Sequence, residues 1–159
     1  MYEAGFTVRP PRPEDAEKLA ELMYRFYAFN EEFDPAWVLG ENADIKAREE
    51  ASKLASGETA DIAFIAEFEG SIVGYIRGYL RALPMLKESI VGVITELYVH
   101  PRFRGKKIGA LLIERFAEEA RRRGASRIAA EIPSSNVVAE RFYSKLGFRK
   151  FMTTFIREV

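Results

Sequence analysis

The chain has 159 residues, enough for one domain that buries about 70% of its unfolded surface, and its 48% hydrophobic and 30% charged content is ordinary for a globular protein. Its 24 Lys and Arg balance 24 Asp and Glu, so no global field draws it to nucleic acid or a membrane surface. With no cysteine and a single histidine, His100, the sequence excludes disulfides, thiolate metal sites, cysteine nucleophiles and a multi-histidine zinc site.

Phe6-Thr7-Val8-Arg9 reads as a short first strand. Pro13-Glu14-Asp15 then opens a helix, with proline near the start and acids where the helix dipole favours them. Leu19, Leu22, Met23 and Phe26 give it one apolar face. From Tyr24 to Trp37 the pattern turns aromatic and acidic, broken at Asp34-Pro35, and Ile45, Ala51 and Leu54 suggest a second helix ending near Gly57. Residues 62–68 and 72–76 read as strands joined at Glu69-Gly70, a hairpin signal, the second continuing towards Leu83-Pro84. A fourth strand, 90–99, runs into a basic turn. The helix beyond it buries Ile108, Leu112, Phe116 and Ala120 and ends at Gly124. Residues 127–132 read as a fifth strand, 136–146 as a short helix closed by Gly147, and Phe148 onward as a last strand. No repeat, low-complexity tract or linker interrupts this order, so residues 1–159 are expected to form a single domain. No apolar run approaches the roughly 20 residues of a spanning helix, and no signal pattern opens the chain, so a cytoplasmic location is expected. The absence of glutamine beside abundant Glu, Arg and Lys suggests a thermophilic source.

Two segments carry chemistry. In Val99-His100-Pro101-Arg102-Phe103-Arg104-Gly105-Lys106-Lys107-Ile108-Gly109-Ala110 a strand breaks into a glycine-bearing turn and a helix begins. Such a helix start presents unpaired N–H groups and a positive dipole end, which suits a phosphate. In Asn136-Val137-Val138-Ala139-Glu140-Arg141-Phe142-Tyr143 a capped helix delivers a tyrosine; Ala139, Phe142 and Leu146 form its core-facing stripe. Neither a P-loop nor a dinucleotide fingerprint occurs. Together and in this order, the segments resemble the GNAT superfamily of N-acetyltransferases, whose acetyl-CoA site pairs an Arg/Gln-x-x-Gly-x-Gly/Ala loop with an Asn…Phe-Tyr helix.

The resemblance covers nearly the whole chain. It implies a mixed α/β fold of order β-α-α-β-β-β-α-β-α-β, with a mostly antiparallel central sheet of six to seven strands flanked by four helices. Arg104, Gly105, Lys106, Lys107, Ile108, Gly109 and Ala110 would hold the pyrophosphate of coenzyme A. Lys107 stands where the family has a glycine, leaving a wider loop or an added phosphate contact. Leu97, Tyr98 and Val99 would offer backbone groups to the pantetheine arm, in an opening between the fourth and fifth strands, and Asn136 would reach the cofactor besides capping its helix. Dimerisation is common in the family, so a homodimer is an expectation.

An acyl transfer from acetyl-CoA to an amine needs an acid for the leaving thiolate and a base for the amine. Tyr143, a phenol that stays protonated at neutral pH, is the expected acid, against a purely structural role. Glu96, a carboxylate amid aliphatic residues in mid-strand, is the leading base, against a solvent-facing residue paired with an arginine. His100 is a lesser alternative that fits a turn better. Tyr24, Tyr27, Phe29, Glu31, Glu32, Phe33, Asp34 and Trp37 read as an acceptor wall favouring a cationic amine, with Tyr27, Glu31, Glu32 and Phe33 as its leading members, or as core and solvated rim. Arg121-Arg122-Arg123 is a cation cluster suited to a helix C-terminus. The reading is an acetyl-CoA-dependent N-acetyltransferase that needs no metal and acts on a small-molecule or protein amine, not on nucleic acid or a membrane. The alternatives are a non-catalytic acyl-CoA sensor of the same fold and a dimerising interaction protein.

Overall fold

The structure, a computed structural model, describes residues 5–159. Strands β1 (Phe6–Arg9), β2 (Ile62–Phe68), β3 (Ser71–Ala82), β4 (Ile90–Val99) and β5 (Arg127–Ala130) lie side by side in sequence order in one sheet. The first four pair antiparallel and β5 joins β4 in parallel. Parallel pairing needs a crossover, and helix α3 (Ile108–Arg122) supplies it.

Helices α1 (Ala16–Asn30) and α2 (Ala43–Ser56) cover one face of the sheet. Leu19, Leu22, Met23 and Phe26 of α1 and Ala51 and Leu54 of α2 pack there on Ile65, Tyr75 and Tyr98. Helix α3 and helix α4 (Val137–Lys145) cover the other face. There Ile108, Leu112, Phe116 and Tyr143 meet Ile62, Phe64, Ile76 and Ile94. Burying one such large apolar side chain is worth about 1.5–3 kcal/mol, and the four-residue spacing in α3 places its members on a single stripe. Gly78 lets α3 approach, since a Cβ there would lie 2.7 Å from the Phe116 ring.

One irregularity positions the site. Arg77 faces Glu96 and Gly78 faces Ile94, so Thr95 is an extra residue in β4. Side chains alternate between sheet faces, and an inserted residue inverts the alternation beyond it. Ile94 therefore points to the α3 side, whereas Glu96 joins Tyr75 and Tyr98 on the α1 side.

Among the described residues the sheet has five strands, not six or seven. The expected last strand from Phe148 onward does not form: the backbone ladder ends at Phe148 N–H donating to Tyr143 O, and residues 149–159 carry no regular structure. The sequence there is strand-like, but a strand exists only with a partner. Among the described residues the outer edge of β5 is unpaired, and Phe151, Met152, Phe155 and Ile156 are exposed. No helix of the described residues is long and apolar enough to cross a membrane.

Candidate active site

The turn between β4 and α3 begins with His100, whose Nδ1 accepts from Arg102 N–H at 3.2 Å. This is the turn role, and the imidazole is held below its ordinary value by desolvation and by Arg25, Lys18 and Arg102. Backbone pairing stops at Arg104 N–H to Pro101 O and resumes at Leu111 N–H to Lys107 O. Between them the amides of residues 105–110 have no backbone acceptor among the described residues. The chain curls there through two left-handed positions, Gly105 at φ 79° and Lys107 at φ 62°. Consecutive free amides in such a curl, at the mouth of a 15-residue helix, make a concavity whose dipoles suit an anion. The φ of Lys107 shows why glycine suits this position and that lysine tolerates it: the loop keeps its left-handed turn and gains a cation. Arg102, Arg104, Lys106 and Lys107 have no carboxylate partner among the described residues.

Pairing of β4 with β5 covers only Val91–Ile94 against Arg127–Ala130, closed by Glu131 N–H donating to Ile94 O. Beyond Ile94 the two strands part, which is the expected opening. His100 N–H bonds Val73 O of β3, so by strand alternation Leu97 and Val99 turn their backbone groups to the opening and Tyr98 turns its own to β3. Of the three, Tyr98 contributes its ring instead. Arg104 donates from Nε to Val99 O at 2.9 Å, with its guanidinium 5.5 Å from the Tyr98 centroid and 5.8 Å from that of Phe29. Arg104 therefore occupies the last free carbonyl of β4.

Helix α4 is capped by Asn136, whose Oδ1 accepts from Ala139 N–H at 3.1 Å while Nδ2 donates to Asn30 Oδ1 at 3.3 Å. Asn30 is buried and in turn donates to Phe26 O. Ser135 also bonds Phe33 O. The start of α4 is thus tied to the end of α1. Tyr143 packs edge-to-face on Phe142 and Phe148, in the apolar cluster that includes Leu97 and Ala130. Burial alone pushes its phenol up, so it is protonated at neutral pH.

Glu96 is almost wholly buried. Its Oε1 accepts from the Tyr75 hydroxyl at 2.9 Å and its Oε2 from Arg77 Nη1 at 3.4 Å. The Tyr27 hydroxyl acts on the same carboxylate. Desolvation nevertheless wins and raises the Glu96 carboxyl above its ordinary value. Tyr27 stacks on Trp37 at 5.7 Å and joins this cluster. The other leading acceptor residues do not: Glu31 accepts from Leu39 N–H, Glu32 is exposed, and Phe33 packs on Phe29. Tyr75, Arg77 and Asn30 escape sequence reading; Arg77, a charge flanked by Ile76 and Gly78 in mid-strand, carries the same signal that marks Glu96.

Comparison with known proteins shows the family. Residues 17–148 match the model of the acetyltransferase (GNAT) family, and the chain belongs to that family. An uncharacterized N-acetyltransferase of Methanocaldococcus jannaschii is 32% identical over 87 residues, 55% of this chain and 38% of the relative. Another, from Archaeoglobus fulgidus, is 33% identical over 90 residues, 57% of this chain and 61% of the relative. The matches therefore span about half the length of these curated relatives. Among solved structures, an aminoglycoside N-acetyltransferase in complex with CoA superposes with a TM-score of 0.74 at 18% identity, covering 96% of this chain and 94% of that one.

Proposed function

We propose that this chain, read as one domain over residues 1–159, is an acetyl-CoA-dependent N-acetyltransferase. The observation that carries the reading is the cradle of free amides at residues 105–110 beside the β4–β5 opening. The donor supplies an activated thioester, and the chain supplies the rest. The amides of residues 105–110, with Lys106 and Lys107, hold the pyrophosphate, and Leu97 and Val99 line the pantetheine path. A β4 N–H donates to the thioester carbonyl as the amine attacks. The new C–N bond forms and the C–S bond breaks. Tyr143, protonated and without a hydrogen bond among the described residues, gives its proton to the departing thiolate. Glu96, the base in this reading, takes the amine proton directly or through a water. With no cysteine available, the transfer is direct, within a ternary complex.

Carboxylates Glu50, Asp61 and Glu96 outnumber the cations Arg77 and Lys53 by one on the acceptor side, which supports a cationic amine. That a structural neighbour is an aminoglycoside N-acetyltransferase supports a small-molecule amine, and a protein amine fits the same chemistry. The β5 edge, unpaired among the described residues, and the exposed Phe151, Met152, Phe155 and Ile156 support a homodimer, and a cytoplasmic location suits both acceptor kinds. Thiol release from acetyl-CoA over a panel of polyamines, aminoglycosides and peptides tests the reading. Turnover on an amine is expected; calorimetric binding of acetyl-CoA with no turnover on any acceptor would instead favour a sensor.

A further inference from the structure

Arg77 stands opposite Glu96 in the antiparallel register, and three of its nitrogens each meet a different carboxylate. Nη2 donates to Glu50 Oε2 at 2.7 Å, Nε to Asp61 Oδ2 at 2.8 Å, and Nη1 to Glu96 Oε2 at 3.4 Å. Glu50 comes from α2, Asp61 from the segment before β2 and Glu96 from β4. The two short bonds go to Glu50 and Asp61, neither of which takes a proton in the proposed transfer. The long one goes to Glu96, whose side chain is 3% exposed against 38% for Glu50 and 26% for Asp61.

We propose that Arg77 is a positioning residue that sets the proton affinity of Glu96, with Glu50 and Asp61 acting as counterweights that draw its charge away. This rests on reading Glu96 as the base. A carboxylate fully engaged by a guanidinium is a weak base, whereas one buried without a cation holds its proton at neutral pH and accepts none. A shared arginine leaves Glu96 between these limits, where a general base works best. The groups facing Glu96 are Tyr27 from α1, Glu50 from α2 with Lys53 beside it, Asp61, and Tyr75 and Arg77 from β3. Arg77 and both hydroxyls favour the carboxylate; burial and the Glu50 charge oppose it. Because guanidinium does not titrate, the balance is set by geometry alone.

The test needs no acceptor. In protein carrying 13C-labelled glutamate carboxyls, the Glu96 resonance is assigned by its loss in Glu96→Gln and followed against pH. Arg77→Met is expected to raise its midpoint by about one pH unit or more. Glu50→Gln and Asp61→Asn, which free the guanidinium for Glu96, are expected to lower it. An unmoved midpoint, or movement in one direction for all variants, overturns the proposal. Should Arg77→Met not fold, the two acid variants decide alone, since both replace polar groups at the rim. The same variants are carried through the pH profile of kcat/KM. If Glu96→Gln keeps both turnover and the acidic limb, the reading of Glu96 as base fails, while the carbon titration still decides the role of Arg77.

Discussion

Gly109 lies against the ring of Phe142: a Cβ on Gly109 would sit 3.0 Å from Phe142 Cζ. The phosphate-type turn and the tyrosine-bearing helix, far apart in sequence, are thus packed on one another, and the glycine serves the contact between α3 and α4 as well as any approach to a phosphate. Gly109→Val is expected to push α4 aside and cost about 1–3 kcal/mol by urea unfolding. Gly109→Ala, whose helix propensity offsets the tighter contact, should change stability by less than about 1 kcal/mol. A Val variant as stable as the native chain would show that the two helices are not in contact.

Tyr143 makes no hydrogen bond among the described residues, and burial alone shifts it. Removing its hydroxyl should therefore leave stability and acetyl-CoA affinity nearly unchanged. Tyr143→Phe is expected to lower kcat by about 10²-fold or more if the phenol is the acid. Unchanged kcat in steady-state assays would reduce Tyr143 to a packing residue.

Lys107 holds φ 62°, a conformation that costs an L-residue about 1–2 kcal/mol. Lys107→Gly relieves it at some expense in unfolded-chain entropy, so a net gain of about 0.5 kcal/mol is expected, read as a small rise in Tm. The same change removes a cation from the turn. Acetyl-CoA binding should then weaken and depend less steeply on salt. A lower Tm would mean that the lysine side chain has a structural role there.

Much of this was legible in the sequence. The hairpin at Glu69-Gly70, the strand entering the basic turn and the apolar stripe of α3 are local signals, and all three are present in the fold. The cluster around Glu96 is not local. Tyr75 and Arg77 reach it only through the pairing of β3 with β4, and an extra residue at Thr95 decides which sheet face Glu96 takes. Periodicity does not announce that bulge. The strand-like residues after Phe148 show the converse: propensity was present and a partner strand was not. The acceptor wall divides because aromatic and acidic residues from 24 to 37 follow a helix and then turns, so that Tyr27 faces Glu96 while Phe29 faces Arg104 and Phe33 packs on Phe29.

Asp15, buried at the start of α1, accepts from both ends of the Arg9 guanidinium at 2.7 and 3.0 Å and from Arg12 N–H at 2.7 Å. The Arg9 hydrogen bonds hold its carboxyl below the usual range. A depressed value means stability that is present above the ordinary aspartate pKa of about 4 and lost as pH falls through the folded value. Asp15→Asn should cost about 1.5–3 kcal/mol at pH 7, and the gap to the native chain should close below about pH 4. A gap that persists in urea titrations at low pH would contradict this assignment.

The central claim is that the curled turn is the donor's phosphate site. It is tested most directly by following backbone amide resonances of 15N-labelled protein during titration with acetyl-CoA. The account predicts saturable shifts that are largest at residues 105–110, with the neighbouring Leu97 and Val99 moving at the same midpoint. Saturation with those amides unmoved, or no binding at all, would contradict it.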